Sequence, residues 1–299
     1  MHLAYDVVDV FTDRPFAGNQ LAVVHGAGGL STEQCLALTR EFGYSESTFP
    51  VPGGAADYAT RIFTPEAEIP FAGHPTLGTA WVLRDRGELE ADEAVQQCGA
   101  GPVGVRFWAD RVELSATPRD LAGPVGRELA VELLADVGLG ADDLDGDAWV
   151  AGCGLTFVHL PVRDEALRRA RPSASGFERH VDRLSALGEV RDLLDAVNLY
   201  AVAGEAPGLQ VHSRVFVPGA GVPEDPATGS AAAGLGMALV ARGLLGDGGR
   251  YTIRQGVEMG RPSTLHGRVE AADGLATRCH VAGQVRHVAR GEILVPELS

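Results

Sequence analysis

Hydrophobic and polar positions alternate with a period of two over the first residues, HLAYDVVDVF, and again over QLAVVHG, with TDRPFAGN supplying turn residues between them. This reads as an opening hairpin. Ser31 then begins a helix: Gln34 stands where a capping box needs it, and Gly43 stands at the stop. SESTFPV and YATRIFTP follow as short strands. After the turn residues around Pro70 the period changes, and HPTLGTAWVLRDRG is expected to be a helix with Pro75 in its first turn, where a missing N–H costs nothing. VGVRFW and RVELSA form a further hairpin about Ala109 and Asp110.

Residues 117 to 124, TPRDLAGP, break the pattern with two prolines and a glycine and are expected to separate two domains. Beyond them come a helix near 126 to 137, an apolar strand LTFVHLPV, and an Arg/Asp-rich helical stretch interrupted by RPSASG. NLYAVAG and GLQVHSRVFVP read as strands. A Gly/Ala-rich helix starts near Thr228, and four strands finish the chain. Many short strands with one apolar helix per half predict an α+β protein with mostly antiparallel sheet, not alternating βαβ units. At 299 residues, one large or two medium domains are expected. We place the halves at 1–118 and 119–284, with a last strand near 285–299 completing the first.

Two stretches resemble each other. RIFTPEAEIP (61–70) and RVFVPGAGVP (214–223) share Arg, Phe, Pro, Ala and Pro without a gap. Dropping two residues sets His74-Pro75 on Asp225-Pro226, Gly78 on Gly229 and Thr79 on Ser230. One large spacing without short periods means a duplicated domain, not a solenoid. Two such domains about a pseudo-twofold axis would aim two helix N-termini at one shared cleft. Each first turn offers free N–H groups and partial positive charge, so the pair would suit an anion such as a carboxylate. Packing alone accounts for the Pro and small residues equally well.

Composition narrows the partners. A net charge of −15 argues against nucleic acid and anionic membrane. Apolar residues at 45% and charged residues at 22% are ordinary for a soluble protein, and no apolar run is long enough to span a membrane. With no basic leader at its N-terminus, the chain reads as cytoplasmic. The four cysteines, Cys35, Cys98, Cys153 and Cys279, show no metal-site spacing and read as separate small core residues. GAGPVG (99–104) matches a dinucleotide fingerprint but holds a Pro and runs into a strand, so it reads as a turn.

Glu46 in GYSESTF, His74 in AGHP and Asp225 in EDPATGSA are, taken singly, ordinary turn or capping residues. Together with the repeat they form a candidate set, because groups sharing a cleft pull each other's pKa toward working pH. The sequence resembles the PhzF family of phenazine-biosynthesis isomerases, within the diaminopimelate epimerase-like fold. The resemblance is carried by DVFTDRPFAGNQLAVV, GYSESTF, RIFTPEAEIPFAGHPTLGTA, VPEDPATGSAAAGLG, QGVEMGRPS and the closing HVAGQVRHVARGEIL, nearly the full length.

That resemblance implies two pseudo-symmetric halves, each a curved, barrel-like antiparallel sheet around a central helix, with the active site in the inter-domain cleft. It implies a homodimeric enzyme without cofactor or metal. It places the catalytic glutamate on Glu46, with His74 and Asp225 beside it, Ser230 on a substrate carboxylate, and Gly73 and Gly229 as backbone donors. GNQ stands where many relatives read GNP, next to Asn19, which is counted among the binding residues. The implied reaction is isomerisation of 2,3-dihydro-3-hydroxyanthranilate, one carboxylate removing a proton from one ring carbon and returning one elsewhere. The small carboxylated substrate leaves open an epimerase on an amino-acid-like metabolite, or a non-catalytic binder. A two-cysteine racemase is disfavoured, since neither repeated motif contains Cys.

Overall fold

The structure is a computed structural model that describes residues 1–297 except 174, 192, 205–207 and 221. Residues 298 and 299, at the end of the expected last strand, lie outside the described residues. The chain divides into two compact units, one of Met1–Ser115 with the terminal stretch from Ala282, the other of Ala116–Val281.

The first unit contains β1 (His2–Val10), β2 (Asn19–Val24), α1 (Thr32–Phe42), β3 (Glu46–Pro52), β4 (Tyr58–Phe63), β5 (Glu68–Ile69), α2 (Gly73–Asp85), β6 (Glu93–Cys98), β7 (Gly101–Trp108) and β8 (Arg111–Ala116). The second contains β9 (Asp120–Val125), α3 (Arg127–Asp136), β10 (Ala148–Gly152), β11 (Thr156–Pro161), α4 (Asp164–Leu167), α5 (Glu178–Ser185), β12 (Leu193–Ala203), β13 (Gly208–Val217), β14 (Val222–Asp225), α6 (Gly229–Ala241), β15 (Gly248–Gln255), β16 (Ser263–Ala272) and β17 (Leu275–Gly283). The last strand, β18 (Val285–Leu294), returns to pair with β1.

The duplication is visible in the strand pairing. In the first unit β18, β1 and β2 pair antiparallel, β2 and β3 parallel, β3 and β4 antiparallel, β4 and β6 parallel, and β6 and β7 antiparallel. In the second unit β9, β10, β11, β12, β13, β15 and β16 repeat the same sequence of pairings. The short β5 and β14 hang on the equivalent strands β4 and β13. Each parallel pair is bridged by helix, α1 or α2 in one unit and α4–α5 or α6 in the other. The architecture is therefore α+β and mostly antiparallel, but it does include the helical crossovers that the short strands alone did not suggest. A parallel pair requires such a crossover.

α2 and α6 are the inner helices. Apart from Trp81, Arg84 and Asp85, every residue of α2 is buried, and in α6 only Ser230 and Ala241 are not. A helix apolar all round must be covered on all sides. α2 packs on β1, β2 and β3, and α6 on β10, β11 and β16. Their glycines permit this: a Cβ on Gly78 would lie 2.5 Å from Leu21 Cδ2, and one on Gly234 would lie 2.7 Å from the Ala151 carbonyl oxygen.

Local chemistry supports these elements. Ser31 and Gln34 close the capping box of α1, and Gly43 ends it with a left-handed φ of 68°. Gly99 and Ala100 of GAGPVG make the turn from β6 into β7, and its remaining four residues begin β7. The proline-rich stretch 117–124, expected to separate the halves, follows directly on the unit boundary at Ser115 and Ala116, and from Asp120 it runs as β9, paired to β10 with a register irregularity opposite its proline end. Proline is tolerated in a strand at such irregularities, which is why the alternation there is hidden. Cys35, Cys98 and Cys279 are buried, but the cysteines are not all separate: the Cys153 thiol lies 3.5 Å from Met237 Sδ, and Cys279, beside it, together with burial pushes that thiol up. Among the described residues no helix is long and apolar enough to cross a membrane.

Candidate active site

Glu46 is the first residue of β3, where the parallel ladder sets it opposite Leu21 of β2. His74 is the second residue of α2 and is 5% exposed. The β2–α1–β3 crossover and the start of α2 thus bring them together, with His74 Nε2 3.7 Å from Glu46 Oε2. Asn19, at the start of β2, reaches the other side of the ring: its Nδ2 lies 3.3 Å from His74 Nδ1. Ser45 Oγ donates to Asn19 Oδ1 at 3.4 Å. Behind them Thr48 and Thr79 share a buried hydroxyl–hydroxyl bond of 2.8 Å that ties β3 to α2.

The Glu46 carboxyl is 18% exposed, yet Oε2 is buried and accepts no hydrogen bond. Burial pushes its pKa from 4.5 up to about 7, only partly opposed by the nearby Ser45 side chain. A carboxyl poised near neutrality can take a proton and give it back.

In the second unit, Asp225 ends β14, and Gly229 and Ser230 open α6. Here the alignment of His74 with Asp225 fails. α2 begins at Gly73 and α6 at Gly229, so by helix position His74 matches Ser230 and Gly78 matches Gly234. Pro226 biases the residue before it toward extended backbone, so Asp225 stays in its strand and three residues separate it from the helix. Pro75 instead lies inside the first turn of α2. Neither helix start is capped by a side chain: Ala72 precedes α2, and the Thr228 hydroxyl turns away to donate to Asp225 Oδ2 at 2.5 Å.

Gln255 locks that segment. Its Nε2 donates to the Asp225 carbonyl at 2.8 Å and to Thr228 Oγ1 at 3.0 Å, and its Oε1 accepts from Thr228 N at 3.3 Å. Gln255 opens the QGVEMGRPS stretch, and Ser45 precedes Glu46 in SES; both signals were present in the sequence, but neither residue type by itself announces a network. Glu224, next to Asp225, has a different fate: it pairs with Arg214 at 2.8 Å. Among the described residues no group of three His, Cys, Asp or Glu side chains is placed to hold a metal ion.

The sequence model of the phenazine biosynthesis-like (PhzC-PhzF) family matches residues 8–291. A trans-2,3-dihydro-3-hydroxyanthranilate isomerase of Pseudomonas chlororaphis is 34% identical, the match covering 97% of this chain and 99% of its own. The isomerase of that name from Pseudomonas aeruginosa is 34% identical over 96% and 98%. The structure of a predicted epimerase from Pseudomonas aeruginosa superposes with a TM-score of 0.80 at 32% identity, over 98% of this chain and all of its own (100%). A Bacillus anthracis PhzF-family protein shares the fold, with a TM-score of 0.85 at 24% identity over 99% of this chain and 100% of that one. With its family matched along nearly its whole length and relatives one-third identical from end to end, this chain belongs to the phenazine biosynthesis-like PhzC/PhzF family.

Proposed function

We propose that the chain is an isomerase that moves a proton on trans-2,3-dihydro-3-hydroxyanthranilate or a close carboxylated relative, with Glu46 as the proton carrier. The observation that carries the proposal is the Glu46 carboxyl, mostly buried, raised to about 7 and 3.7 Å from the His74 ring. In this reading Glu46 starts as the carboxylate and removes a proton from one substrate carbon, leaving the electron pair delocalised in the substrate. As the neutral acid it then delivers the proton to a second carbon and is a carboxylate again, so the cycle balances without a co-reactant. His74 polarises the substrate beside Glu46. Asp225, Gly229 and Ser230, with Gly73, bind its polar groups. That the N-cap side chains of α2 and α6 make no cap bond supports carboxylate binding at a helix start. We take the enzyme to be a cytoplasmic homodimer, on the resemblance alone.

The test is turnover of trans-2,3-dihydro-3-hydroxyanthranilate in deuterated water, followed by NMR, for wild type and Glu46→Gln. Turnover by wild type with loss in the variant is expected; a variant that keeps its rate overturns the assignment. The second reading, an epimerase on an amino-acid-like metabolite, is favoured by the 32% identity to a predicted epimerase. It predicts deuterium exchange at one substrate carbon, with return of the proton to that same carbon.

A further inference from the structure

The contact between Asn19 and His74 is nitrogen to nitrogen, Nδ2 to Nδ1 at 3.3 Å. An amide nitrogen can only donate, so Nδ1 is the acceptor of the ring. At its other end the amide's Oδ1 lies 3.4 Å from Ser45 Oγ, whose hydroxyl can donate to it. A neutral imidazole whose Nδ1 accepts must carry its proton on Nε2. Nε2 is the atom that stands 3.7 Å from Glu46.

We propose that Asn19 and Ser45 are positioning residues, not substrate ligands, which hold neutral His74 as the Nε2–H tautomer with its proton presented toward Glu46. A lone pair at that place would face the carboxylate's own lone pairs and drive the proton back onto Glu46. The relay thereby decides how readily Glu46 begins the cycle as a base.

The second unit contains the same construction in a place where its outcome is fixed independently. Ser213 Oγ donates to Asn198 Oδ1 at 2.5 Å, and Asn198 Nδ2 meets His159 Nδ1 at 3.0 Å. His159 Nε2 then lies 3.2 Å from the Ala151 carbonyl oxygen. A carbonyl only accepts, so His159 is Nε2–H, the tautomer that the Ser–Asn pair dictates from the other side. One chain thus uses Ser, Asn and His twice to aim an Nε2–H, once at a carbonyl and once at a carboxylate. The two are not copies by descent, since His159 lies on a strand and His74 on a helix.

The tautomer needs no substrate to be observed; its catalytic consequence rests on the proposed function. The experiment is long-range ¹H–¹⁵N NMR of the full chain labelled at histidine, with His74 assigned by His74→Gln. In wild type the His74 Nδ1 signal is expected as the unprotonated type and Nε2 as the protonated type. Asn19→Asp, whose carboxylate can only accept at Nδ1, should exchange the two and lower kcat at least tenfold with little change in KM. Ser45→Ala, a milder change in a half-buried turn, should give mixed tautomers and a smaller loss in kcat. A protonated Nδ1 in wild type overturns the proposal. So does an unchanged tautomer in both variants, or a loss carried by KM alone, which would return Asn19 to substrate binding. If Glu46→Gln keeps its rate while the tautomers behave as expected, the proton-carrier assignment alone has failed.

Discussion

His74 Nε2 and Glu46 Oε2 face each other at 3.7 Å, too far for a closed hydrogen bond. The carboxyl is held in a largely dry place by the start of β3 and the first turn of α2, and its raised pKa is the energetic record of that placement. A group that the fold keeps uncomfortable when ionised must cost stability whenever it is ionised.

Glu46→Gln should therefore stabilise the protein while it stops proton transfer. The group binds its proton more tightly when folded, about 7, than when unfolded, 4.5. Stability is then highest below the unfolded value and falls as pH rises through the folded one. At about pH 8.5 the carboxylate costs on the order of 2–3 kcal/mol, which the neutral amide removes. Urea unfolding at about pH 8.5 and pH 4.5 checks this; equal midpoint shifts at both would show that ionisation is not the cause.

The same pKa sets the acid limb of catalysis. A base that must start unprotonated loses about tenfold of kcat/KM per pH unit below its pKa. The profile of wild type is expected to bend near 7. A limb that stays flat to about pH 5 would leave Glu46 an ordinary carboxylate and unseat it as the base.

Asp6 is the opposite case within the same unit. It is fully buried (0% exposed), which alone would raise its pKa, but hydrogen bonds from Arg290, His287 and His25 overturn that and hold it at about 2. Arg86 Nη1 also lies 3.0 Å from it. A lowered pKa contributes stability above the unfolded value of 3.8 that is lost as pH falls toward 2. The contribution is about 2 kcal/mol. Asp6→Asn should flatten the acid limb of stability between about pH 4 and 2 and leave Arg86 and Arg290 without this counter-charge. Acid titration by circular dichroism checks this, and an unchanged limb would place the acid sensitivity elsewhere.

The parts of this fold that were legible in the sequence are those decided by neighbours in the chain. Ser31, Gln34 and Gly43 delimit α1 because caps are local chemistry, and the strand-then-helix order around His74 follows from a change of period. What was hidden depends on distant partners. The pattern alone does not show β6, β10 or the strand β9 that follows the unit boundary, because their pairing makes them strands. Sequence similarity set His74 against Asp225, but the intervening loop differs in length, and only the helix starts reveal that Ser230 is the positional match. The family resemblance named Glu46 and His74; the contacts of Ser45 and Gln255 needed coordinates, because a Ser or Gln commits to a network only when its partners are in place.

The arginine that marked the repeat proves to be a fastener in both units. Arg61 pairs with Glu68 at 2.6 Å and stacks on Phe63, and Arg214 pairs with Glu224 at 2.8 Å and stacks on Phe216. Arg214 also donates to the carbonyls of Leu167 and Ala170. The pairs differ in exposure: 30% and 38% for the first, 5% and 10% for the second. Breaking a buried pair leaves a charge without its partner, so Arg214→Ala should cost about 3 kcal/mol or more. Arg61→Ala should cost about 1 kcal/mol. Urea midpoints of the two variants decide it, and a larger loss at Arg61 would contradict this ranking.

The inner helices offer a last comparison, since Gly78 and Gly234 hold the same helix position against different neighbours. An Ala at 78 would press on Leu21 Cδ2 at 2.5 Å and Val10 Cγ2 at 2.9 Å, ends of side chains that can rotate. An Ala at 234 would press on the Ala151 carbonyl oxygen at 2.7 Å and His159 Nε2 at 2.9 Å. Those two atoms contact each other, and the carbonyl belongs to a paired strand that cannot swing aside. Alanine gains up to about 1 kcal/mol of helix propensity in both places, against overpacking of about 1–3 kcal/mol. Gly78→Ala should therefore be nearly neutral to mildly destabilising, while Gly234→Ala loses on the order of 2 kcal/mol and frees the His159 tautomer from the Ala151 carbonyl. Urea unfolding reads the first difference and histidine ¹⁵N signals the second. Equal losses at the two glycines would mean that the strand at Ala151 gives way as easily as a leucine side chain.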